Sequence, residues 1–217
     1  MEGSNSSMKK YKLYLFDFDG TLLNTTAALE FVFSVAYAHI GLKFNPEDAM
    51  EFARIPLEVG YKRMNGKQAD WMEFALYLEK ALDFPEALER NSPYEESYEF
   101  FDYIRKNNIH AGIVTSNKVS HVKDVLNVLD IPLETFNIYV GNKEYKKFKP
   151  HPDPIMKALE VCEKGYLPHE VVYVGDGIND TISANAAGVD AVLIDRKGEY
   201  PESDQYVKIT SLLDLFK

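Results

Sequence analysis

Asp17-Phe18-Asp19-Gly20-Thr21 follows directly on the apolar run Tyr11-Lys12-Leu13-Tyr14-Leu15-Phe16, and the reading of this junction decides the fold. A short run so rich in Leu, Tyr and Phe reads as a buried strand. Residues two apart on extended chain point the same way, so Asp17 and Asp19 are expected to project together from its C-terminal end. Gly20 lets the backbone turn sharply away. Two carboxylates converging there repel each other unless a cation or a proton sits between them. Alone, the stretch is equally well read as an Asp/Gly turn that closes a strand.

Downstream of this strand, residues 25–91 read as helices only. Apolar residues cover most of the run from Ala27 to Ile40, and Gly41 suits its C-cap. Trp71, Phe74, Ala75, Leu78 and Leu82 recur at helical spacing, and Asn91-Ser92-Pro93 breaks the pattern. From Tyr94 the rhythm changes to alternation. Helices are expected over 94–106, 119–129, 154–164 and about 182–187, with a short one ending near Phe216. Strands are expected over 110–114, 137–140, 171–174, 191–194 and 206–209. Such alternation predicts an α/β protein with a parallel sheet covered on both faces. The first strand is cut off from the rest by the helical block, so the expected division is a tail over 1–10, an α/β core over 11–24 and 92–217, and an inserted helical domain over 25–91.

Composition narrows the function. Apolar residues make up 46% of the 217 and aromatics 13%, as in a well-packed globular protein. The net charge of −10 argues against nucleic acid as the main partner. A small phosphorylated substrate held by a few basic groups and a metal is compatible with it. The single cysteine, Cys162, excludes an internal disulfide and falls in an apolar-periodic run, which suits a buried core residue. No stretch reads as a signal peptide or as a bilayer-crossing segment, so the expectation is a cytoplasmic protein without membrane attachment, monomeric or homodimeric.

In open α/β sheets ligands bind beyond the carboxyl ends of the strands. Past the first strand stand Asp17 and Asp19. Past 110–114 stand Thr115, Ser116, Asn117 and Lys118. Beyond the next strand and a basic loop comes Lys149-Pro150-His151-Pro152-Asp153-Pro154. Past 171–174 comes Gly175-Asp176-Gly177-Ile178-Asn179-Asp180. Each has a mundane alternative. Thr115 and Ser116 could N-cap the helix that follows. Lys143, Lys146, Lys147 and Lys149 could be a solvated loop. Asp180 could N-cap a helix after a tight turn. Jointly they suit phosphoryl transfer. Mg²⁺ takes carboxylate oxygens, waters and a phosphate oxygen, and Asp17, Asp19, Asp176 and Asp180 supply such a set. Thr115 and helix-start amides offer hydrogen bonds to phosphate oxygens, and Lys149 a positive charge. Other motifs fail: Leu22 and Ala28 stand where an EF-hand loop needs Gly and Glu, and Asp180 stands where a dinucleotide fingerprint needs its third glycine.

The chain resembles the haloacid dehalogenase-like hydrolase superfamily, on the side of the phosphoglycolate phosphatases and β-phosphoglucomutases. Its four motifs match in order: DFDGTL at Asp17 to Leu22, VTSNK around Thr115, KPHPDP at Lys149 to Pro154, and VGDGIND at Val174 to Asp180. The resemblance implies a Rossmann-like core with an inserted all-helical cap that closes over it. It implies that Asp17 is the nucleophile forming an aspartyl phosphate, and that Asp19 serves as acid for the leaving oxygen and then as base for water. It assigns phosphate binding to Thr115 with Ser116 and Asn117, charge balance to Lys149, and Mg²⁺ to Asp17, Asp19, Asp176 and Asp180. Asp19 argues for phosphate over halide substrates, since the dehalogenase branch lacks this second aspartate. Asn24 replaces a frequent Asp. Arg54 stands where family caps often carry Gly, a place from which it could read an anionic group of the substrate or make a surface ion pair. The expected function is a Mg²⁺-dependent phosphatase of a small phosphorylated metabolite. Two alternatives are a phosphomutase of the same superfamily and a receiver-like signalling module, the latter disfavoured by the helical insertion after the first strand.

Overall fold

The computed structural model describes residues 8–46, 57–65 and 69–217. Six strands form one parallel sheet: β1 (Leu13–Phe16), β4 (Ala111–Val114), β5 (Ile138–Val140), β6 (Val171–Gly175), β7 (Asp190–Ile194) and β8 (Val207–Ile209). Their order is β5-β4-β1-β6-β7-β8. The first strand of the chain is thus central, with Phe16 opposite Ile113 on one side and Val174 on the other. All of its residues are buried, as are those of β4 and β6, because a parallel strand is covered on both faces.

Alternation along the strands sorts two apolar layers. Leu13, Leu15, Val171 and Tyr173 face one way and meet Ile155 and Ala158 of α7 (Asp153–Val161), Ala184 of α8 (Ile178–Ala186) and Cys162. Cys162 is a buried, unpaired thiol. Tyr14 and Phe16 face the other way, onto aromatics. Phe16 meets Phe100 of α5 (Ser97–Lys106) edge-on at 5.3 Å, and Phe100 stacks on Phe216 of the terminal 3₁₀ turn at 6.0 Å. The remaining helix of this unit, α6 (Val119–Val128), buries Val122, Val125 and Leu126.

The chain divides into two compact units, one of residues up to 23 together with 93–217 and the other of 24–92. The second is helical: α1 (Thr26–His39), α2 (Leu57–Asn65), α3 (Ala69–Ala81) and the short α4 (Pro85–Leu88). Its core is aromatic, with Phe74 against Tyr37 at 5.0 Å and against Tyr61 at 4.5 Å. Its two ends meet. Residues Leu23–Asn24 (β2) pair with Ser92–Pro93 (β3), a ladder that flanks the block 25–91 expected to be helical.

Several boundaries move relative to expectation. Helix α8 begins at Ile178 rather than near Ile182, since the polar Asn179 and Asp180 lie within its first turn. Helix α5 begins at Ser97 rather than Tyr94, because the Ser97 hydroxyl takes the Tyr94 amide and ends the turn there. Of the tail expected over 1–10, residues 1–7 lie outside the described residues, whereas Lys9 holds Asp190 at 2.7 Å and the His169 carbonyl at 2.8 Å. Arg54 lies outside the described residues. Among the described residues no helix is long and apolar enough to cross a membrane.

Phe100 is fully buried between sheet and terminal turn. Phe100→Ala is expected to cost about 3–5 kcal/mol, read as a lower urea midpoint with an unchanged slope.

Candidate active site

Four strand ends of the larger unit converge. The Asp17 amide, one residue past β1, donates to the Val174 carbonyl of β6 at 2.9 Å, which fixes the start of the acidic turn against the neighbouring strand. Gly20 has φ +74°, and a Cβ there would stand 2.3 Å from Asp176 Oδ2. Only glycine allows both the left-handed turn and this approach. Gly175 plays the same spatial part for Asp180, whose carboxyl carbon lies 2.3 Å from where a Cβ would be.

The centre of the cluster is Lys149. Its Nζ donates to Asp17 Oδ1 at 2.8 Å, Asp180 Oδ1 at 2.7 Å and Tyr173 Oη at 3.0 Å, one acceptor for each ammonium proton. The Lys149 side chain is only 9% exposed, whereas its neighbours Lys146 and Lys147 are exposed. The solvated-loop alternative therefore holds for those two and not for Lys149. Burial alone would lower the Lys149 pKa, but the Asp17 and Asp180 charges hold it well above its ordinary value. Tyr173 passes its own proton on to the Val114 carbonyl at 3.1 Å. Ser183 donates to the His151 carbonyl at 2.8 Å and pins the loop that carries Lys149 onto α8.

Asp19 accepts from Asn117 Nδ2 at 2.6 Å, so the segment after β4 orients the second aspartate. The Thr115 hydroxyl is buried and accepts from the Asn117 amide at 3.1 Å, while the Thr115 carbonyl takes the Tyr145 hydroxyl at 2.9 Å. Neither Thr115 nor Ser116 is the N-cap of α6: Lys118 holds that place with no side-chain cap bond, and Ser116 is exposed. Asp180 is not an N-cap either. It is the third residue of α8 and reaches back to the Gly177 amide at 3.1 Å.

Asp17, Asp176 and Asp180 each offer a carboxylate oxygen within 4.8 Å of the others. Asp19 stands outside this set, on Asn117. An all-carboxylate donor set suits a hard cation such as Mg²⁺. The electrostatics agree. Burial pushes Asp17 well above the usual carboxylate range; Lys149 opposes this, while Asp180, Asp176 and Asp19 add to it. Asp176 is pushed up to about 6 by burial and by Asp180. One ammonium does not balance these acids, and a divalent cation would.

Acids and a buried lysine gathered at the carboxyl edge of a parallel sheet mark the site of an α/β enzyme. The chain belongs to the haloacid dehalogenase-like hydrolase family, whose model matches residues 14–194. It is 28% identical over 197 residues to a phosphoglycolate phosphatase of Mannheimia succiniciproducens, covering 84% of this chain and 85% of that one. It is 26% identical over 186 residues to the pyrophosphatase PpaX of Bacillus mycoides, covering 85% and 84%. A crystal structure of a HAD-superfamily hydrolase from Geobacter sulfurreducens shares the fold, with a TM-score of 0.74 over 93% of this chain and 96% of that one at 23% identity.

Tyr173 and Tyr145, whose hydroxyls reach Lys149 and the Thr115 carbonyl, are not singled out by the sequence reading. Tyr173 carries a signal in hindsight: a phenol inside an apolar strand must find a partner when buried.

A carboxyl whose pKa is raised on folding binds more protons folded than unfolded between the two values. The unfolding free energy therefore falls as pH rises through that window. For Asp176, between its ordinary value of 3.8 and about 6, this predicts that in chelator the urea midpoint falls from about pH 4 to about pH 6. The slope is expected to shrink in Asp176→Asn.

Proposed function

We propose that this protein is a Mg²⁺-dependent phosphatase that hydrolyses a small phosphate ester through an aspartyl phosphate on Asp17. The chain is a hydrolase of phosphoric esters. What supports the finer reading is the Lys149 contact. It engages Oδ1 of a buried carboxylate at 2.8 Å, so Oδ2 is the oxygen assigned to attack phosphorus.

In the first step Asp17 Oδ2 bonds to phosphorus, the bond to the leaving oxygen breaks, and Asp19 delivers a proton to that oxygen. In the second, Asp19 takes a proton from water as the water oxygen attacks phosphorus and the bond to Asp17 breaks, releasing inorganic phosphate. Splitting the displacement in two lowers each barrier, and one carboxyl alternates between acid and base. Asn117 keeps Asp19 oriented at 2.6 Å. Thr115, with Ser116 and Asn117, is assigned to the phosphoryl oxygens, and Lys149 to charge balance as negative charge spreads over them. Asp17, Asp176 and Asp180 would hold the Mg²⁺, with Asp19 beside them. The ion, when bound, supplies charge neutralisation and orientation of the phosphoryl group. The helical insertion, 24–92, is assigned the choice of substrate, and Arg54 remains a candidate within it.

The relatives divide between phosphoglycolate and pyrophosphate as named substrates, so the panel for phosphate release includes both, with sugar phosphates and p-nitrophenyl phosphate. A requirement for a sugar bisphosphate would instead favour the phosphomutase.

Asp17→Asn is expected to keep the circular-dichroism spectrum and to lose turnover by roughly 10⁴-fold or more, since an amide does not attack phosphorus. Near wild-type rates in that variant would remove the covalent route. Separately, EDTA should abolish phosphate release and Mg²⁺ restore it, with Ca²⁺ a poor substitute because it takes more ligands at longer distances. Full activity in chelator would make Asp176 structural.

A further inference from the structure

We infer that Arg196, outside every motif in the sequence, is the positioning residue that sets the turn carrying Asp19. The role in turnover rests on the phosphatase reading above; the hold on the turn does not. The acidic turn has an unusual need. Past Asp19 its backbone leaves the sheet, so the carbonyls of Gly20, Thr21 and Leu22 have no strand partner, yet Thr21 and Leu22 are fully buried. Unpaired buried carbonyls are costly. All three are satisfied by side chains from two distant segments of the same unit.

Arg196, two residues past β7, supplies most of this. Its Nη1 donates to the Gly20 carbonyl at 2.9 Å and its Nη2 to the Thr21 carbonyl at 2.9 Å. Its Nε and Nη2 donate to Glu96 Oε1 at 3.2 and 2.8 Å. The guanidinium also lies over the Tyr94 ring, 3.6 Å from its centroid, and the Tyr94 hydroxyl donates to the same Gly20 carbonyl at 3.0 Å. Ser97 takes the Leu22 carbonyl at 2.9 Å. Arg196 and Glu96 side chains are 17% and 15% exposed, so the pair is little screened by water.

The planar fork makes four such contacts, to two successive carbonyls and a carboxylate, one more than the three protons of an ammonium allow. The turn so fixed contacts the acidic cluster. Thr21 Oγ1 is 3.4 Å from Asp176 Oδ1, and Gly20 packs where a Cβ would strike Asp176. Asp19 immediately precedes it, and Arg196 touches no acid of the cluster. Its effect is therefore on where Asp19 stands, and a displacement near 1 Å costs about 10²-fold in rate.

The test uses the full-length protein with Arg196→Ala, Arg196→Lys and, as a milder control, Tyr94→Phe, which removes one of two donors to Gly20. Amide hydrogen exchange reads the hold directly, because the Gly20, Leu22 and Leu23 amides bond within the turn. In Arg196→Ala these amides are expected to exchange about tenfold faster or more, with those of β1 and β6 unchanged. With p-nitrophenyl phosphate, kcat is expected to fall about 10- to 100-fold, with KM within about threefold. Millimolar guanidinium, far below denaturing levels, should restore part of kcat in Arg196→Ala, and Arg196→Lys should recover little. Unchanged exchange in the turn overturns the proposal. So does faster exchange with wild-type kcat, which would make the clamp a stability element only. A rise confined to KM also overturns it by placing Arg196 on the substrate. If wild-type protein releases no phosphate from any substrate, the phosphatase reading fails, and the exchange result alone then decides the hold on the turn.

Discussion

The buried ammonium of Lys149 is the constraint on which the site depends. Asp17 and Asp180 come from different strand ends, and both are buried. Two carboxylates at such range in a medium of low polarity repel by several kcal/mol at an effective dielectric of about 20. Lys149 stands between them at 2.8 and 2.7 Å and converts that repulsion into two ion pairs. Removing one partner of a buried ionic network is strongly destabilising, because the remaining charges are left uncompensated. Much of the surrounding architecture serves this contact. Tyr173 accepts the third proton, Ser183 pins the loop that delivers the lysine, and Gly175 lets Asp180 lean onto its strand. The parallel register of β1 with β6 places Asp17 and Asp176 on the same edge.

The local balance has the same sign as that of the whole chain. With a net charge of −10, the protein as a whole repels an anionic substrate at low ionic strength. The sheet edge is acidic as well, with Asp17, Asp176 and Asp180 gathered around the single ammonium of Lys149, so attraction there would come from a divalent cation held by these carboxylates.

Much of the core was legible in the sequence because parallel strands are written as nearly continuous apolar runs and because chemistry collects just beyond them. Val171 to Val174 is such a run, and Asp176 follows it. The element boundaries that moved did so where polar residues serve two purposes. Asp180 looks like a loop residue because its side chain belongs to the site, yet its backbone is helical. Thr115 looks like a helix cap, yet its hydroxyl closes a turn on Asn117. Tyr173 reads as packing because all but one of a tyrosine's side-chain heavy atoms are carbon; only the fold reveals that its hydroxyl reaches Lys149. Arg196, in Asp195-Arg196-Lys197-Gly198, reads as a surface turn, and nothing local in the chain says that its fork closes on residues 175 positions earlier. Such contacts are set by topology, to which short-range patterns are blind.

The pairing of β2 with β3 has a consequence for how the inserted unit can vary. The ends of the 24–92 unit are neighbours, with Ser92 Oγ 3.5 Å from the Asn24 carbonyl. A segment whose entry and exit coincide behaves as a cassette: it can lengthen, shorten or be exchanged without altering the spacing of the sheet that carries it. A change of length within the inserted unit therefore leaves the acidic turn and Lys149, which belong to the other unit, where they are.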